Sequence, residues 1–244
     1  MGKAIEAIAQ QRGHSVVLRV DSRNVGTPPT GADIAIEFSK PDSAFDNIAL
    51  CLRNSVPVVV GTTGWYDHLT DLRALVTETG GSALWASNFS IGVNLFFRVN
   101  RMLAGLMDQQ PGYSAHIDEI HHIHKLDAPS GTAITLARDI DLKTQRYSGW
   151  ELKEPLKVLG QEQVNTGPRS AQGPSSFPVP ILSERTGEVP GKHAVSWTSG
   201  NDRIVITHEA FDRTGFAQGA LVAAEWLQGR KGLYTLDDVL DPKV

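Results

Sequence analysis

The sequence has a single cysteine, no long apolar run and no excess of positive charge. Its 244 residues carry a net charge of −4, with 23 Lys and Arg against 27 Asp and Glu. A nucleic-acid-binding protein would show a basic patch, so small-molecule chemistry is the better prediction. No stretch reaches the roughly 20 apolar residues of a membrane span, and the N-terminus lacks the basic-then-apolar order of a signal peptide. We expect a cytoplasmic protein that binds neither nucleic acid nor membrane.

The one cysteine, Cys51, cannot form an internal disulfide, which suits a reducing compartment. It lies in an apolar, helix-like run from Ile48 to Leu52. A small buried hydrophobic side chain is therefore a better interpretation of Cys51 than a nucleophile.

The first ninety residues alternate between helical and strand patterns, as in a parallel α/β sheet. Helices are predicted over 2–12, 41–54 and 67–79, and strands over 15–20, 32–38, 56–60 and 82–86. Alternating elements with short connections favour a Rossmann-like sheet with helices on both faces.

After Asn88 the pattern changes, which indicates a second, α+β domain with a mostly antiparallel sheet. Helices are predicted over 91–107 and 216–227, and strands over 114–121, 177–183, 193–198 and 203–210. We predict a dinucleotide-binding domain over 1–90 and 212–244, and a substrate-binding domain over 91–211.

The chain starts inside what reads as the first helix, whereas an α/β nucleotide-binding domain normally opens with a strand and a glycine-rich turn. We therefore expect the first strand of the sheet to be missing. Gly2 and Asp21 are 19 positions apart (21 minus 2), close to the spacing of about 20 between the last fingerprint glycine and the ribose-binding acid. We hypothesise that Met1 is an internal methionine of a G-x-x-G-x-M-G type motif, and that cofactor affinity suffers without the glycine turn.

Residues 119–133 (EIHHIHKLDAPSGTA) carry the clearest chemical signal in the sequence. Three histidines fall within four positions and Lys125 follows directly, and histidine is scarce in protein cores. Adjacent residues of a strand face opposite sides, so His121 and Lys125 converge only if a loop begins near Ile123. A histidine or a lysine can supply the proton that a C=N or conjugated system needs when it accepts a hydride.

The APSGT segment that follows predicts the start of a helix with Ser130 at its cap. The amides of Gly131 and Thr132 would then lack partners within the helix and could bind a carboxylate or phosphate. The run offers a general acid, a cation and an anion-binding helix start, so we expect a small carboxylate as the substrate.

Two other interpretations of the histidines stay open. A zinc site could use His122 and His124, which share a strand face, together with His116, but no carboxylate base or CxxC pair accompanies them. The histidines could instead be solvated residues of a surface loop, because histidine tolerates exposure.

Two segments follow predicted strands of the first domain, at the carboxyl ends where ligands bind in open α/β sheets. GTTGW (61–65) would let a cofactor approach the backbone and would offer two hydroxyl groups, although a plain turn also accounts for it. ASNFS (86–90) is placed for contacts with nicotinamide and substrate, although Asn88 could equally be a turn residue or a helix cap.

Several motifs together resemble a known family over essentially the whole chain: GTTGW, ASNFSIGVN, EIHHIHKLDAPSGTA, GEVPGKHAV, and the terminal FAQGALVAAEWL and GLYTLDDVL. They resemble the dihydrodipicolinate reductases, which reduce 4-hydroxy-tetrahydrodipicolinate in the biosynthesis of diaminopimelate and lysine. The E-x-H-H-x-x-K-x-D-x-P-S-G-T run is specific to that family, whereas the cofactor motifs alone are not.

The resemblance implies that His121 is the proton donor or acceptor and that Lys125 is a second proton donor. His122 and the amides of Gly131 and Thr132 would hold substrate carboxylate. No metal is expected. With Gly2 from the spacing above, the residues expected at the cofactor are Gly2, Asp21, Gly61, Thr62, Thr63, Ala86, Ser87, Asn88, Phe89, Arg213 and Phe216.

The resemblance also implies NADH or NADPH as the cofactor, a cyclic imine dicarboxylate as the substrate, and a homotetramer. Asp21 would repel the 2′-phosphate of NADPH whereas Arg23 could attract it, so the preference stays open. The sequence departs from the family in its missing opening strand with most of the glycine loop, and in Ala194, where the family often has threonine. A different Rossmann reductase, a non-catalytic nucleotide sensor and a zinc hydrolase are the rival functions.

Overall fold

A computed structural model describes residues 1–153, 176–212 and 214–241. The chain forms two compact units, Met1–Asn94 with Thr214–Val244, and Leu95–Arg213. Arg213, which the resemblance places at the cofactor, lies outside the described residues. Within those residues no helix is both long and apolar enough to cross a bilayer.

The helices and strands follow the sequence patterns closely. In chain order the helices are α1 (Gly2–Gln11), α2 (Pro41–Arg53), α3 (Leu69–Thr79), α4 (Ile91–Asp108), α5 (Gly131–Lys143), α6 (Thr214–Leu227) and α7 (Leu236–Leu240). The strands are β1 (Ala35–Glu37), β2 (Val58–Val60), β3 (Ser82–Trp85), β4 (Ser114–His121), β5 (Tyr147–Lys153), β6 (Phe177–Arg185), β7 (Gly191–Thr198), β8 (Arg203–Ala210) and β9 (Gly232–Thr235). The patterns did not predict β5, β9 or α7.

The first unit is built on a parallel sheet with the strand order β1-β2-β3-β9. Its central strand β2 is buried on both faces, which explains its uninterrupted valines. Val58 and Val60 pack with α2 and α3, whereas Val59 packs with α1 and α6 on the other face. The strand period of two thus assigns alternate valines to two separate cores.

The predicted strand over 15–20 is wrong. No strand is present there, Val17 and Val20 are 63% and 50% exposed, and no strand of the described sheet pairs with this segment. A strand depends on a ladder to a neighbour, and β-branched side chains cannot replace the missing partner.

The interpretation of Cys51 as a buried hydrophobic residue is confirmed. Cys51 is a residue of α2, and its side chain is buried in the core. Burial, helped by the charge of Glu37, raises the pKa of the thiol to about 11. A thiol that stays protonated at neutral pH is a poor nucleophile.

Helix α6 approaches the backbone after β3 through Gly219. A Cβ at this position would lie 1.7 Å from the carbonyl oxygen of Phe89. We expect Gly219→Ala to lower the free energy of unfolding by about 3 kcal/mol, because neither backbone can retreat without repacking the core. Urea unfolding measures the change.

Gly215→Ala is the matched control, on the same helix but with no described atom within 4 Å of the added Cβ. It should be neutral or stabilise by up to about 1 kcal/mol, since alanine is the better helix former. Equal stability of the two variants would contradict the close approach.

The second unit contains a mixed sheet with the strand order β5-β6-β4-β7-β8. The pairs β4-β7 and β7-β8 are antiparallel, and β4-β6 and β5-β6 are parallel. Glu119 on β4 is directly opposite Ser183 on β6 and His193 on β7, so the three side chains share one face. The two sheets confirm the predicted fold class.

Candidate active site

Strand β4 places Glu119 and His121 on the same face, because they are two residues apart. The strand ends at His121 and the chain turns at Ile123, where the Lys125 amide donates to the His122 carbonyl at 3.1 Å. The chain therefore leaves the strand before Lys125, which meets the condition for His121 and Lys125 to converge.

Glu119 is the centre of a buried network, and its side chain has no solvent exposure. Its Oε1 accepts hydrogen bonds from the Ser130 amide (3.1 Å), the Ser183 hydroxyl (2.7 Å) and the Arg185 guanidinium (3.0 Å). Its Oε2 lies 2.8 Å from Nδ1 of His121, a charge-assisted separation without linear hydrogen-bond geometry. This one carboxylate thus links β4, β6 and the start of α5.

The Glu119 carboxylate is held in its ionised form. Burial acts to raise the pKa of Glu119, but the contact with His121 and the hydrogen bonds from Ser130, Ser183 and Arg185 outweigh it and hold the pKa well below the usual range. Donors that favour the charged form have this effect on a buried carboxyl.

His193 adds a second buried imidazole, whose ring centroid lies 5.0 Å from that of His121. Its Nε2 is 3.0 Å from the Ser130 hydroxyl and 3.7 Å from Oε2 of Glu119. Burial first, and then the charge of His121, lowers the pKa of His193 to about 3, against the opposing effect of Glu119. His193 is therefore a neutral ring at physiological pH.

The outer nitrogen of His121 is open. In the described part of the chain no group hydrogen-bonds its Nε2, and that atom is not among the buried unpartnered ones. Gly191 preserves this opening, because a Cβ there would lie 3.1 Å from Nε2. The ring can exchange a proton through Nε2 while Nδ1 faces Glu119.

Lys125 lies in the loop after β4, with Nζ 2.7 Å and 2.9 Å from the two carboxylate oxygens of Asp127. This hydrogen bonding is the main cause of the lowered pKa of Asp127. Lys125 is thus held at the loop that directly follows His121 and His122.

Helix α5 starts as the sequence indicates. The Ser130 hydroxyl accepts a hydrogen bond from the Ala133 amide at 3.2 Å, which confirms the predicted cap. The amides of Gly131 and Thr132 have no acceptor among the described residues. Two free amides at a helix N-terminus are suited to bind an anion.

His122 and His124 do not converge with His116. Nδ1 of His122 is buried without a partner, His124 pairs with Glu188 at 3.1 Å, and His116 pairs with Asp118 at 3.0 Å. The zinc site predicted as an alternative from these three histidines is therefore not assembled.

Within the described ranges, the one group with metal-ligand spacing is Glu119, His121 and His193. The 2.8 Å between Oε2 and Nδ1 is shorter than the separation of about 3.3 Å between two ligands on a tetrahedral zinc. The Arg185 cation also contacts the same carboxylate. The cluster fits a proton-sharing network better than a metal site.

In the first unit, the segments 61–63 and 86–89 follow β2 and β3 at the carboxyl edge of the sheet. Thr63 and Ser87 are exposed there, whereas the Thr62 hydroxyl is buried and accepts from the Ser39 amide at 2.7 Å. A Cβ at Gly61 would overlap the ring of Phe38 at 2.1 Å, so the packing of Phe38 requires this glycine.

Asn88 and Phe89 have structural contacts of their own. Asn88 accepts the Ser90 amide at 2.8 Å through Oδ1, and its carbonyl accepts from the Asn94 side chain at 2.8 Å. The Phe89 ring is buried and lies 6.0 Å from Phe38. Ala86 is also buried, with its amide donating to the Val60 carbonyl at 3.2 Å.

Asp21 lies in a turn and not at a strand end as predicted, because the preceding strand is absent. Its Oδ2 is 2.5 Å from the Arg23 guanidinium, and this contact lowers the pKa of Asp21. Gly2 begins α1 with open space around it, and Phe216 is half-buried in the first turn of α6.

Four residues of this network were not predicted from the sequence, although three of them were within quoted motifs. Glu119 opens the E-x-H-H run, and its spacing of two from His121 was a usable signal. His193 is in GKHAV and Asp127 follows Lys125 by two positions in the same run as Glu119, whereas nothing local marks Arg185 as a partner.

Comparison with known proteins gives one consistent result. Residues 1–89 match the family Dihydrodipicolinate reductase, N-terminus, and residues 92–240 match Dihydrodipicolinate reductase, C-terminus. A 4-hydroxy-tetrahydrodipicolinate reductase of Christiangramia forsetii is 42% identical over 242 residues, covering 98% of this chain and 93% of the relative. One of Methanopyrus kandleri is 40% identical over 224 residues, covering 87% of this chain and 75% of the relative.

A solved structure agrees. The dipicolinate-bound dihydrodipicolinate reductase of Paenisporosarcina sp. TG-14 is similar with a TM-score of 0.64 and 26% identity, covering 83% of this chain and 71% of that one.

Proposed function

The chain belongs to the dihydrodipicolinate reductase family, and we propose that residues 119–132 form the site that binds and protonates the substrate. The protein is an NAD(P)H-dependent oxidoreductase that reduces 4-hydroxy-tetrahydrodipicolinate, by way of dihydrodipicolinate, in the diaminopimelate and lysine pathway. One observation carries the proposal: the Glu119 carboxylate contacts Nδ1 of His121, whose Nε2 has no partner among the described residues, and also the Ser130 amide, which directly precedes the free amides of Gly131 and Thr132.

The substrate is a cyclic imine with two carboxylates. In this proposal, the Gly131 and Thr132 amides and the His122 ring hold a carboxylate, and Lys125 adds a fixed cation and a second proton donor. When the substrate ring accepts a hydride at its C4 atom, Nε2 of His121 delivers a proton to the substrate C3 atom.

The first unit fits a dinucleotide at the carboxyl edge of its parallel sheet, where such folds bind one. The exposed hydroxyls of Thr63 and Ser87 follow two adjacent strands there. The proposed cofactor residues are Gly2, Asp21, Gly61, Thr62, Thr63, Ala86, Ser87, Asn88, Phe89, Arg213 and Phe216. Bound NADH or NADPH supplies the hydride.

A reductase assay tests the function directly. Purified protein should oxidise NADH or NADPH only when 4-hydroxy-tetrahydrodipicolinate is present. A higher kcat/KM for another carboxylated imine would favour a different reductase, and dinucleotide binding without turnover of any substrate would favour a sensor.

Asp21 is proposed to bind the adenosine ribose of NADH. We expect Asp21→Ala to raise KM for NADH by about tenfold, since a hydrogen bond to a charged acceptor is lost, and to change KM for NADPH less because repulsion of its 2′-phosphate is also removed. Arg23→Ala is the matched control, since the same ion pair is broken from its cationic side. Equal changes in both KM values for Asp21→Ala would contradict the role.

We also propose a cytoplasmic homotetramer. Helix α4 exposes an apolar stripe with the spacing of one helix face, formed by Leu95, Val99, Met102 and Leu106. Exposed stripes of this kind mark association surfaces, and a second copy of the chain is the occupant we propose. A monomeric mass by light scattering would contradict the assembly, and export of the protein from the cell would contradict the location.

A further inference from the structure

Glu119 lies at the centre of the candidate site, yet it has no place in the proton transfer described above. We propose that Glu119 is a positioning residue whose single carboxylate aligns the proton-donating ring of His121 with the anion-binding start of α5. The inference rests on the function proposed for His121, Gly131 and Thr132.

The first arm of this arrangement is Oε2, which lies 2.8 Å from Nδ1 of His121. An ionised carboxylate can only accept, so Nδ1 keeps its proton in both states of the ring, and Nε2 is the nitrogen that takes up a proton and then donates it to the substrate. Gly191 leaves room along the Nε2 edge of the ring. Glu119 therefore selects both the tautomer and the direction in which His121 exchanges its proton.

The second arm is Oε1, which accepts the Ser130 amide at 3.1 Å. Ser130 is the cap of α5 and directly precedes Gly131 and Thr132, whose amides are free. These three amides belong to consecutive residues. The hydrogen bond from the Ser130 amide to Glu119 therefore fixes the position at which the helix start would bind an anion. The two arms thus use different oxygens of the same carboxylate, Oε2 for His121 and Oε1 for Ser130.

The carboxylate itself is held rigidly. Ser183 and Arg185, both on β6, donate to Oε1 at 2.7 Å and 3.0 Å, and Arg185 also donates to the carbonyl of Asp127 in the loop that carries Lys125. The adjacent His193 is neutral because burial lowers its pKa to about 3. The Glu119 carboxylate thus contacts His121 through Oε2 and the permanent cation of Arg185 through Oε1.

A merely structural carboxylate would have different consequences. If Glu119 served only to satisfy the buried Arg185, its replacement would lower stability without changing kcat of the molecules that remain folded. A positioning carboxylate must change kcat, and must do so separately from KM when one arm is removed without the other.

Glu119→Gln removes the first arm alone. The amide oxygen still accepts from Ser130 and Arg185, but the amide nitrogen replaces Oε2 and cannot accept from Nδ1 of His121. We expect kcat to fall by about 100-fold, the scale of losing a partner that orients a reacting group, with KM for the substrate changed by less than about threefold. Circular dichroism and thermal unfolding confirm that the variant is folded.

Two further variants complete the test. Glu119→Ala removes both arms, so kcat should fall as far and KM should also rise by about tenfold. Glu209→Gln makes the same substitution at an exposed carboxylate of β8 that pairs with Lys192 at 3.4 Å, so its kcat should change by less than about threefold. A folded Glu119→Gln enzyme with kcat within about threefold of wild type would overturn the inference.

Nitrogen NMR of the wild-type protein tests the same point without replacing Glu119. With the His121 signals assigned by their loss in His121→Gln, the neutral ring should carry its proton on Nδ1, and a proton on Nε2 would overturn the inference. If His121→Gln is inactive and Glu119→Gln is fully active, the inference alone fails. If His121→Gln is fully active, the proposed site fails with it.

Discussion

Replacing His121 with glutamine is expected to lower kcat by at least about 100-fold, the usual contribution of a positioned general acid, while KM changes by less than about threefold. Glutamine retains polarity and approximate size but cannot donate a proton to the substrate. The substitution also changes the contact between Nδ1 and the buried Glu119, so thermal unfolding of the variant is measured alongside its kinetics. Steady-state kinetics at saturating cofactor measure the effect.

His116→Gln is the control for this prediction. His116 stands on the same strand as His121 but on the opposite face, where it pairs with Asp118. The same substitution there should leave kcat close to the wild-type value. Near-normal activity of His121→Gln, in a protein whose circular dichroism matches wild type, would refute the assigned role.

Lys125→Ala is expected to reduce both binding and turnover, with KM rising by about tenfold or more and kcat falling by at least about tenfold. Lys125 is proposed both to attract a substrate carboxylate and to supply a second proton. Its removal also leaves the Asp127 carboxylate without the hydrogen bond that Nζ donates at 2.7 Å. That hydrogen bond is the main cause of the lowered pKa of Asp127. An unpaired carboxylate repels a dianionic substrate.

The double variant Lys125→Ala/Asp127→Asn separates these contributions. It should recover part of the lost KM but none of the lost kcat, because it removes the repulsion without restoring a proton donor. Lys192→Ala is the control, since this lysine forms an exposed ion pair with Glu209 and alternates away from the face of His193. Equal KM values for the single and double variants would show that Asp127 does not act on the substrate.

The local patterns of the sequence predicted most elements, and the exceptions have one physical cause. The five helices α1 to α4 and α6 lie within two residues of their predicted ends, because the spacing of apolar residues is a property of the segment itself. The segment 15–20 has suitable side chains for a strand but no described strand to pair with. Strand formation is not a property of a segment alone.

The same distinction applies to the candidate site. The E-x-H-H run, the turn before Lys125 and the cap at Ser130 are contiguous in sequence, so their chemistry could be predicted. The partners of Glu119 could not: Ser183 and Arg185 are 64 and 66 residues away along the chain. They meet Glu119 only because β6 lies beside β4.

The sequence alone indicated the family, most of the helices and strands, and the segment in which imidazole, ammonium and free amides occur together. The tertiary structure decided which of these groups face one another. Strand order and register brought His193, Ser183 and Arg185 to the face of Glu119. The reason is that alternation along a strand is local, whereas pairing between strands joins residues that no spacing rule connects.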